Sequence, residues 1–331
     1  VFQLLLDPKY GALKSLDEID AVGHRIVQGG DLFEKSCIVT KEVEEGIESL
    51  IELAPVHNLG HLRGIKAVDA LMPHTPQVTV FDNAFHSTME PYAFLYAVPY
   101  EMYEKYHVRR YGFHGISHKY VDERTRRHFN NPHLKNITLH LGNGASMAAV
   151  DPQGHCIDTS MGFGPNEGLL MGSRCGDIDS AVVFFLGKKG LSNDEIAKIF
   201  NHESGMKGIT GSSDARDVEA LAEKGDPNGI LCLDMYAYRI KKFIGAYIAA
   251  LNGVDSIIFT AGLGENDALV RKLVCKDLSV FGIELDEEKN EKFNHPKQLV
   301  EIQKDGAKVK IFVIPTNEEL QIVNEIKHLV K

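Results

Sequence analysis

The sequence predicts an α/β fold, because apolar strand-like runs alternate with helical periodicity along its 331 residues. A second observation is one pattern that occurs twice. The apolar run 137–141 ends in Gly142-Asn143-Gly144, and the run 257–261 ends in Gly262-Leu263-Gly264. Each predicts a buried strand that stops at a glycine turn. Backbone N–H groups in such turns bind phosphate, so the pair indicates a nucleotide between two loops. Turn geometry alone explains either loop equally well.

Hydrophobic periodicity and turn residues place the remaining elements in order. We expect strands at 19–27, 77–81, 137–141, 147–150, 155–158, 257–260 and 308–314. We expect helices at 40–53, 64–71, 117–129, 177–186, 193–200, 215–222, 231–251, 266–274 and 317–330. The three strands that follow residue 136 predict an antiparallel meander. No low-complexity linker is present, so the predicted domain boundary is a hinge near 83–91.

Two of these helices carry the clearest signals. Val43, Ile47 and Leu50 recur on one face of the first long helix, as a helix packed on a core requires. The helix at 193–200 follows Ser192 or Asn193 as its cap, with acidic residues in the first turn.

Composition excludes several classes of protein. The chain is long enough for two domains, and its net charge of −10 disfavours a nucleic-acid or anionic-membrane partner. No run of 18 apolar residues and no signal peptide is visible. The five cysteines are odd in number and lack CxxC spacing. They predict free thiols in a reducing compartment, and hence a cytoplasmic location.

Two arginines lie beside glycines, which allows a guanidinium to project into a cleft. Arg174 stands between Gly172 and Gly176, and Arg25 precedes a Gly-Gly pair. Arginine makes planar, bidentate contacts with phosphate or carboxylate. The alternative for Arg174 is an ion pair with Asp177 or Asp179.

Histidine and carboxylate candidates complete the set. His114 and His118 would form a metal pair on a helix, but neighbouring glycines favour a loop and a single polar or structural histidine. Asp82 follows a predicted strand. Asp214 is either a helix cap or a nucleotide contact. Glu318 or Glu319 could bind Mg²⁺, or Glu319 could form a capping box with Thr316.

Phosphate loops, arginines, a histidine and carboxylates are the groups that phosphoryl transfer uses, since its catalysis is mostly positioning and charge neutralisation. The sequence lacks the G-x-S-x-G elbow of a serine hydrolase, a Walker A loop and a Rossmann fingerprint. The sequence therefore favours a phosphotransferase.

In order along the chain, the segments 80–89, 111–121, 139–146, 158–179, 260–266 and 314–320 resemble the acetate kinase family. The resemblance runs from about residue 20 to the end. It implies the duplicated, actin-like ATPase (ribonuclease H-like) fold with two domains and a cleft between them. The first domain would be 1–84, with the helix 317–331 returning to it, and 85–316 would be the second domain, for nucleotide binding and dimerisation.

The resemblance also implies a reaction and its partners. The protein would transfer the γ-phosphoryl group of ATP reversibly to acetate, giving acetyl phosphate and ADP, with Mg²⁺ or Mn²⁺ in a cytoplasmic homodimer. A propionate or butyrate kinase is one alternative, and a catalytically impaired nucleotide-binding fragment is another.

Site residues follow by matching motifs. Arg25 and Arg174 would bind the acetate carboxylate and the phosphoryl group, and His114 would donate a hydrogen bond to that phosphoryl. Asp82 would position an arginine or the metal, or exchange a proton, and Glu318 would hold the metal. The substrate pocket would comprise Arg25, Val27, Val56, His57, Phe113 and Pro165. The nucleotide would contact His140, Leu141, Gly142, Asn143, Gly144, Asp214, Ala215, Arg216, Gly262, Leu263, Gly264, Glu265 and Asn266.

The sequence departs from the family pattern in several places. The family's opening strand and its Asn-(Ala)-Gly-Ser-Ser-Ser-Leu-Lys phosphate loop have no counterpart, so the chain looks truncated at its N-terminus, with an incomplete first domain. Gln28, Gly164 and Asn166 replace residues usual in the family, as do the segments 59–61 and 206–207. These departures bear on substrate positioning rather than on the family.

Overall fold

The computed structural model describes residues 2–330, apart from the side chain of Val56. The strands are β1 (Val22–Ile26), β2 (Cys37–Ile38), β3 (Gln77–Phe81), β4 (Asn136–Leu141), β5 (Ala145–Val150), β6 (Cys156–Thr159), β7 (Ser256–Thr260), β8 (Val300–Glu301) and β9 (Lys310–Val313). The helices are α1 (Phe2–Leu5), α2 (Lys41–Ser49), α3 (Pro55–Leu71), α4 (Pro91–Phe94), α5 (Glu101–Tyr106), α6 (Gly115–Phe129), α7 (Ala181–Lys188), α8 (Asn193–His202), α9 (Gly205–Thr210), α10 (Ala215–Glu223), α11 (Pro227–Leu251), α12 (Ala261–Asn266), α13 (Ala268–Cys275), α14 (Glu287–Lys292) and α15 (Glu318–Leu329). The predicted α/β class is confirmed. Across the described chain, no helix has the length and apolar character needed to cross a membrane.

The chain forms two compact units, Val1–Phe85 with Asn317–Lys331 and His86–Thr316. The first contains a three-stranded sheet in the order β1-β3-β2, with β1 and β3 parallel. Helices α2 and α3 cover it through a core of Ile26, Ile47, Leu62, Ile65 and Phe81. Helix α15 packs on β1 so closely that a Cβ at Gly23 would overlap the Ile322 side chain.

The second unit is built on a six-stranded sheet in the order β6-β5-β4-β7-β9-β8. The predicted meander is confirmed, since β4, β5 and β6 pair antiparallel in sequence. Strands β4, β7 and β9 are parallel, and His140 of β4 is in register with Thr260 of β7. The carboxyl ends of parallel strands meet at one edge of the sheet, which is where ligands bind in such folds. The two glycine-containing segments therefore lie side by side.

Several predicted boundaries are wrong. The segment Gly262–Gly264 is part of helix α12 rather than a turn, and the helix expected from 266 begins at Ala268 with Asp267 as its cap. Helix α3 starts at Pro55 instead of 64, because proline fits the first helical turn and Gly60 and Gly64 are tolerated inside it. Strands β2 and β8 have two residues each, too few to show an alternating pattern.

Candidate functional site

Three charged side chains meet in the first unit. Arg25 lies near the end of β1, and Asp82 directly follows the neighbouring parallel strand β3. Their Nη2 and Oδ2 atoms are 2.9 Å apart, and Arg25 Nη1 is 3.6 Å from Glu318 Oε2 at the start of α15. The cap of α15 is Asn317, whose side chain accepts from the Leu320 N–H. The predicted capping box that starts at Thr316 is therefore wrong.

The cluster contains two carboxyl groups, of Asp82 and Glu318, and one guanidinium, of Arg25. Asp82 is buried and Glu318 half-buried, yet they share one guanidinium. Burial raises the pKa of Glu318, although the attraction of Arg25 acts in the opposite direction. Two carboxyl groups therefore lie against one guanidinium, and carboxylate oxygens are ligands that a hard cation prefers. Within residues 2–330, no group of three or more histidine, cysteine or acidic side chains is arranged to hold a metal.

His61, which sequence reasoning missed as a site residue, faces the same cluster. It lies one turn after His57 on α3, and its Nε2 atom is buried without a hydrogen-bond partner in the structure. Burial first, and then the positive charges of His57 and Arg25, lower its pKa. His61 is therefore a neutral histidine near Arg25.

In the second unit, His114 and Arg174 converge on Gly144. His114 precedes α6 with φ +58° and stacks on His140 at a ring distance of 4.1 Å. A Cβ at Gly144 would lie 3.4 Å from Arg174 Nη1 and 3.5 Å from His114 Nε2. A side chain here would fill the space between these two polar groups. Glycine leaves this space open beside the turn after β4.

The environment of Arg174 is that of an anion-binding group. Its Nη1 donates a 3.1 Å hydrogen bond to the Pro165 carbonyl, and burial lowers its pKa. Among the described residues it makes no ion pair. The alternative pairing with Asp177 is wrong, since Asp177 accepts from Gly168 N–H and lies 3.7 Å from Arg239. An unneutralised, partly buried guanidinium favours binding of an anion.

A cavity of about 560 Å³ opens beside this turn. Its volume suits a nucleotide-sized ligand. Eight residues predicted to contact nucleotide line it: Gly142, Asn143, Asp214, Ala215, Arg216, Gly262, Leu263 and Asn266. The other predicted contacts do not: His140, Leu141, Gly144, Gly264 and Glu265.

Two of the predicted nucleotide contacts that lie outside the cavity, Leu141 and Glu265, stabilise the fold instead. Leu141 is fully buried in the sheet. Glu265 Oε1 accepts from the backbone N–H groups of Ala261, at 2.8 Å, and Thr316, at 2.9 Å. Ala261 has φ +65°, a strained value for a residue with a Cβ. Glu265 therefore holds the backbone that presents Gly262 and Leu263 to the cavity.

Six residues that line the cavity were not predicted: Gly172, Met206, Ser213, Glu219, Asp267 and His295. Ser213 and Asp267 adjoin predicted residues and could have been included. Asp267 Oδ1 caps α13, while its Oδ2 is buried. Burial, and then a hydrogen bond with Asp267, raise the pKa of Glu219 to about 8. Two carboxyl groups, of Glu219 and Asp267, therefore lie together in this cavity wall.

The residues of the predicted acid pocket occur in both units. Val27 is half-buried after β1, and His57 is exposed on α3, whereas Phe113 is buried and Pro165 half-buried in the second unit. The side chain of Val56, on α3, lies outside the described residues. The acid pocket stays a prediction.

Comparisons with known proteins agree with one another. The model of the "Acetokinase family" matches residues 2–324. The chain is 51% identical to acetate kinase 2 of Clostridium perfringens and 53% identical to acetate kinase of Carboxydothermus hydrogenoformans, covering 100% of this chain and 83% of each relative. The crystal structure of Porphyromonas gingivalis acetate kinase superposes with a TM-score of 0.96 at 43% identity, covering 100% of this chain and 83% of that one. A propionate kinase from Francisella tularensis superposes with a TM-score of 0.90 at 41% identity, covering 96% and 81%.

Proposed function

Because this chain belongs to the acetokinase family, we propose that Arg25, Asp82, His114 and Arg174 carry out the family's reaction. The protein is a phosphotransferase with a carboxylate acceptor, and it moves the γ-phosphoryl group of ATP to acetate in a reversible reaction. Its fold is that of the solved acetate and propionate kinases, an actin-like ATPase fold.

The observation that carries the assignment of residues is the convergence of Arg174 Nη1 and His114 Nε2 on the open space at Gly144. In the reaction an acetate oxygen bonds to the γ-phosphorus while the bond to the bridging oxygen of ADP breaks. Charge then spreads over the phosphoryl oxygens. Arg174 neutralises this charge with its planar fork, and His114 donates a hydrogen bond from Nε2 to the same group. Arg25, aligned by Asp82, binds the acetate carboxylate.

We assign the adenosine part of ATP to the cavity of about 560 Å³. Gly262 and Leu263 form one wall and Asp214 to Arg216 another. The phosphates then run towards Gly142 and Asn143, whose segment ends at Gly144 beside Arg174. This direction brings the γ-phosphoryl group to the two residues that we assign to transfer.

We place Mg²⁺ or Mn²⁺ at the carboxylate oxygens of Asp82 and Glu318 in the first unit. Glu318 and Asp82 both contact Arg25, and their carboxylate oxygens are the ligand type that a hard cation prefers. Mg²⁺ commonly uses only one or two carboxylates, with waters and substrate phosphates as its other ligands, so a three-residue cluster is not required. When bound, the ion neutralises phosphate charge. Arg25 contacts both carboxylates, Asp82 through Nη2 and Glu318 through Nη1.

We also propose a homodimer in the cytoplasm. Large apolar side chains are exposed on two helices of the second unit, Phe184 at 69% on α7 and Leu231 at 50% on α11. Such surface is typical of an interface. All five cysteines are free, which suits a reducing compartment. Light scattering of the purified protein tests the dimer, and Phe184→Asp should increase the monomer fraction.

The proposed role of His114 is tested by trapping acetyl phosphate as the hydroxamate. We expect His114→Ala to lower kcat by about 10²–10³, the usual effect of removing one well-placed electrostatic group. His128→Gln is the matched control, because His128 is exposed and binds Glu301. A His114→Ala enzyme that keeps more than a tenth of the wild-type kcat would show that the assignment is wrong.

A further inference from the structure

Four side chains of the second unit, among them His114, are joined by consecutive hydrogen bonds. His114 Nδ1 is 2.8 Å from Ser146 Oγ, and His118 Nε2 is 2.8 Å from the same oxygen. His118 Nδ1 is 2.7 Å from Thr138 Oγ1. Ser146, His118 and Thr138 are all fully buried, so no water competes for these bonds.

When both rings are neutral and the Ser146 hydroxyl donates to one of them, the protons in this chain can be arranged in only two ways. Burial lowers the pKa of His118 well below its ordinary value, so its ring carries one N–H. A neutral imidazole donates from one nitrogen and accepts at the other, and a hydroxyl has one hydrogen to donate. Hence every hydrogen bond in the chain is donated either in the direction of His114 or in the opposite direction, towards Thr138.

The reaction requires the first arrangement. Our proposed function needs an N–H on Nε2 of His114, facing the phosphoryl group. An imidazolium would also supply it, but it would add a positive charge beside Arg174, with which it shares the space at Gly144. A neutral ring with hydrogen on Nε2 must accept at Nδ1, and Ser146 is the donor there.

The rest of the chain supports this direction. Ser146 donates its hydrogen to His114 and therefore accepts from His118 Nε2–H. His118 Nδ1 then accepts from the Thr138 hydroxyl. Thr138 can donate in this way, because its other acceptor, the Ala148 carbonyl, is 3.5 Å away and too distant for a strong bond.

We propose that Ser146 and His118 are positioning residues that hold neutral His114 in the tautomer with hydrogen on Nε2. This inference rests on the proposed function for the role of His114. The hydrogen-bonded chain sets which nitrogen carries the proton before the substrate binds. The same principle applies to histidine ligands of metals, whose second nitrogen is fixed by an outer partner.

The direct test is ¹⁵N NMR of the wild-type protein labelled at histidine, at pH 7. The protein has 15 histidines, so the His114 signals are assigned by their loss in His114→Gln. We expect a pyridine-type shift at Nδ1 and a pyrrole-type shift at Nε2. Hydrogen on Nδ1 alone, or on both nitrogens, would overturn the proposal. This result does not depend on activity, so it is separable from failure of the proposed function, which the kinetics of His114→Ala report.

A kinetic test uses Ser146→Ala. We expect kcat to fall about 10- to 100-fold, as for other outer partners of a functional histidine, with KM for ATP and acetate within threefold. The matched control is Ser256→Ala, another fully buried serine, which binds Asn136 instead. A loss of less than fivefold in Ser146→Ala would overturn the proposal. If that variant does not fold, the wild-type spectrum decides.

Discussion

Arg174 donates a 3.1 Å hydrogen bond to the backbone carbonyl of Pro165. This bond fixes the direction of a guanidinium that has no carboxylate partner among the described residues. Pro165 belongs to the predicted acid pocket, so the loop that carries it also orients Arg174. A charged group held by a neutral carbonyl keeps its charge available for an anionic ligand.

The first prediction concerns Arg174. Arg174→Ala should lower kcat on the order of 10³ or more, because an arginine that neutralises charge in phosphoryl transfer contributes that much. Arg174→Lys should recover little activity, since an ammonium lacks the planar fork. Steady-state kinetics with ATP and acetate measure both. Arg127→Ala is the control, since Arg127 is exposed and its ion pair with Glu123 is long, at 3.9 Å. A loss under tenfold in Arg174→Ala would exclude the role.

The second prediction concerns Glu265. Glu265→Ala should lower the free energy of unfolding by about 1–3 kcal/mol, because the partly buried N–H groups of Ala261 and Thr316 lose their acceptor. Glu265→Gln keeps a carbonyl oxygen at the same place and should cost less. Urea denaturation gives the stabilities, and calorimetry with ADP gives the affinity, which should fall in parallel. Equal stability of the Ala and Gln variants would contradict this account.

The third prediction concerns pH. The pKa of Glu219 is raised from 4.5 to about 8, so the native state binds its proton more tightly than the unfolded state does. This contribution to stability is complete below about pH 4.5 and is lost as the pH rises towards 8. Glu219→Gln cannot titrate and should flatten the profile of unfolding free energy against pH in this window. The exposed Glu288→Gln is the control and should keep the wild-type slope. An unchanged slope in Glu219→Gln would refute the raised pKa.

The fourth prediction concerns acid choice. An apolar pocket discriminates by only about 1–3 kcal/mol per methylene group. Val27→Ala should therefore shift the ratio of kcat/KM towards propionate by about tenfold to a hundredfold. Val280→Ala, 83% exposed, should leave the ratio unchanged. If the acetate-to-propionate ratio of Val27→Ala equals that of the wild type, Val27 does not line the pocket.

Much of the fold could be predicted because its signals are local. The meander β4–β5–β6 and strand β7 follow from apolar runs and turns. Of the two candidate caps, Ser192 is the one present, and it also forms a capping box with Glu195. The two glycine segments lie together because they follow parallel neighbours of one sheet. The pattern itself could not separate a turn from a helix at Gly262, since glycine after a strand is compatible with both.

Other features depend on partners distant in sequence. Glu265 was predicted to contact nucleotide, yet its acceptor oxygen binds Thr316, which lies 51 residues away. Thr316 was predicted as a cap, but its hydroxyl is 2.7 Å from Ser117 Oγ, and Asn317 caps the helix. Glu219 meets Asp267 only after α10 and α13 have packed against α11. The helix and strand propensities of neighbouring residues cannot predict contacts between residues so far apart in sequence.

The reaction itself is tested most directly by ³¹P NMR of the purified protein with ATP, Mg²⁺ and acetate. We expect the γ-phosphate signal of ATP to decrease while acetyl phosphate and ADP appear in equal amounts. Acetyl phosphate and ADP should react back to the same equilibrium mixture, and Arg174→Ala should reach it much more slowly. An unchanged γ-phosphate signal, or its conversion to inorganic phosphate whether or not acetate is present, would contradict the account.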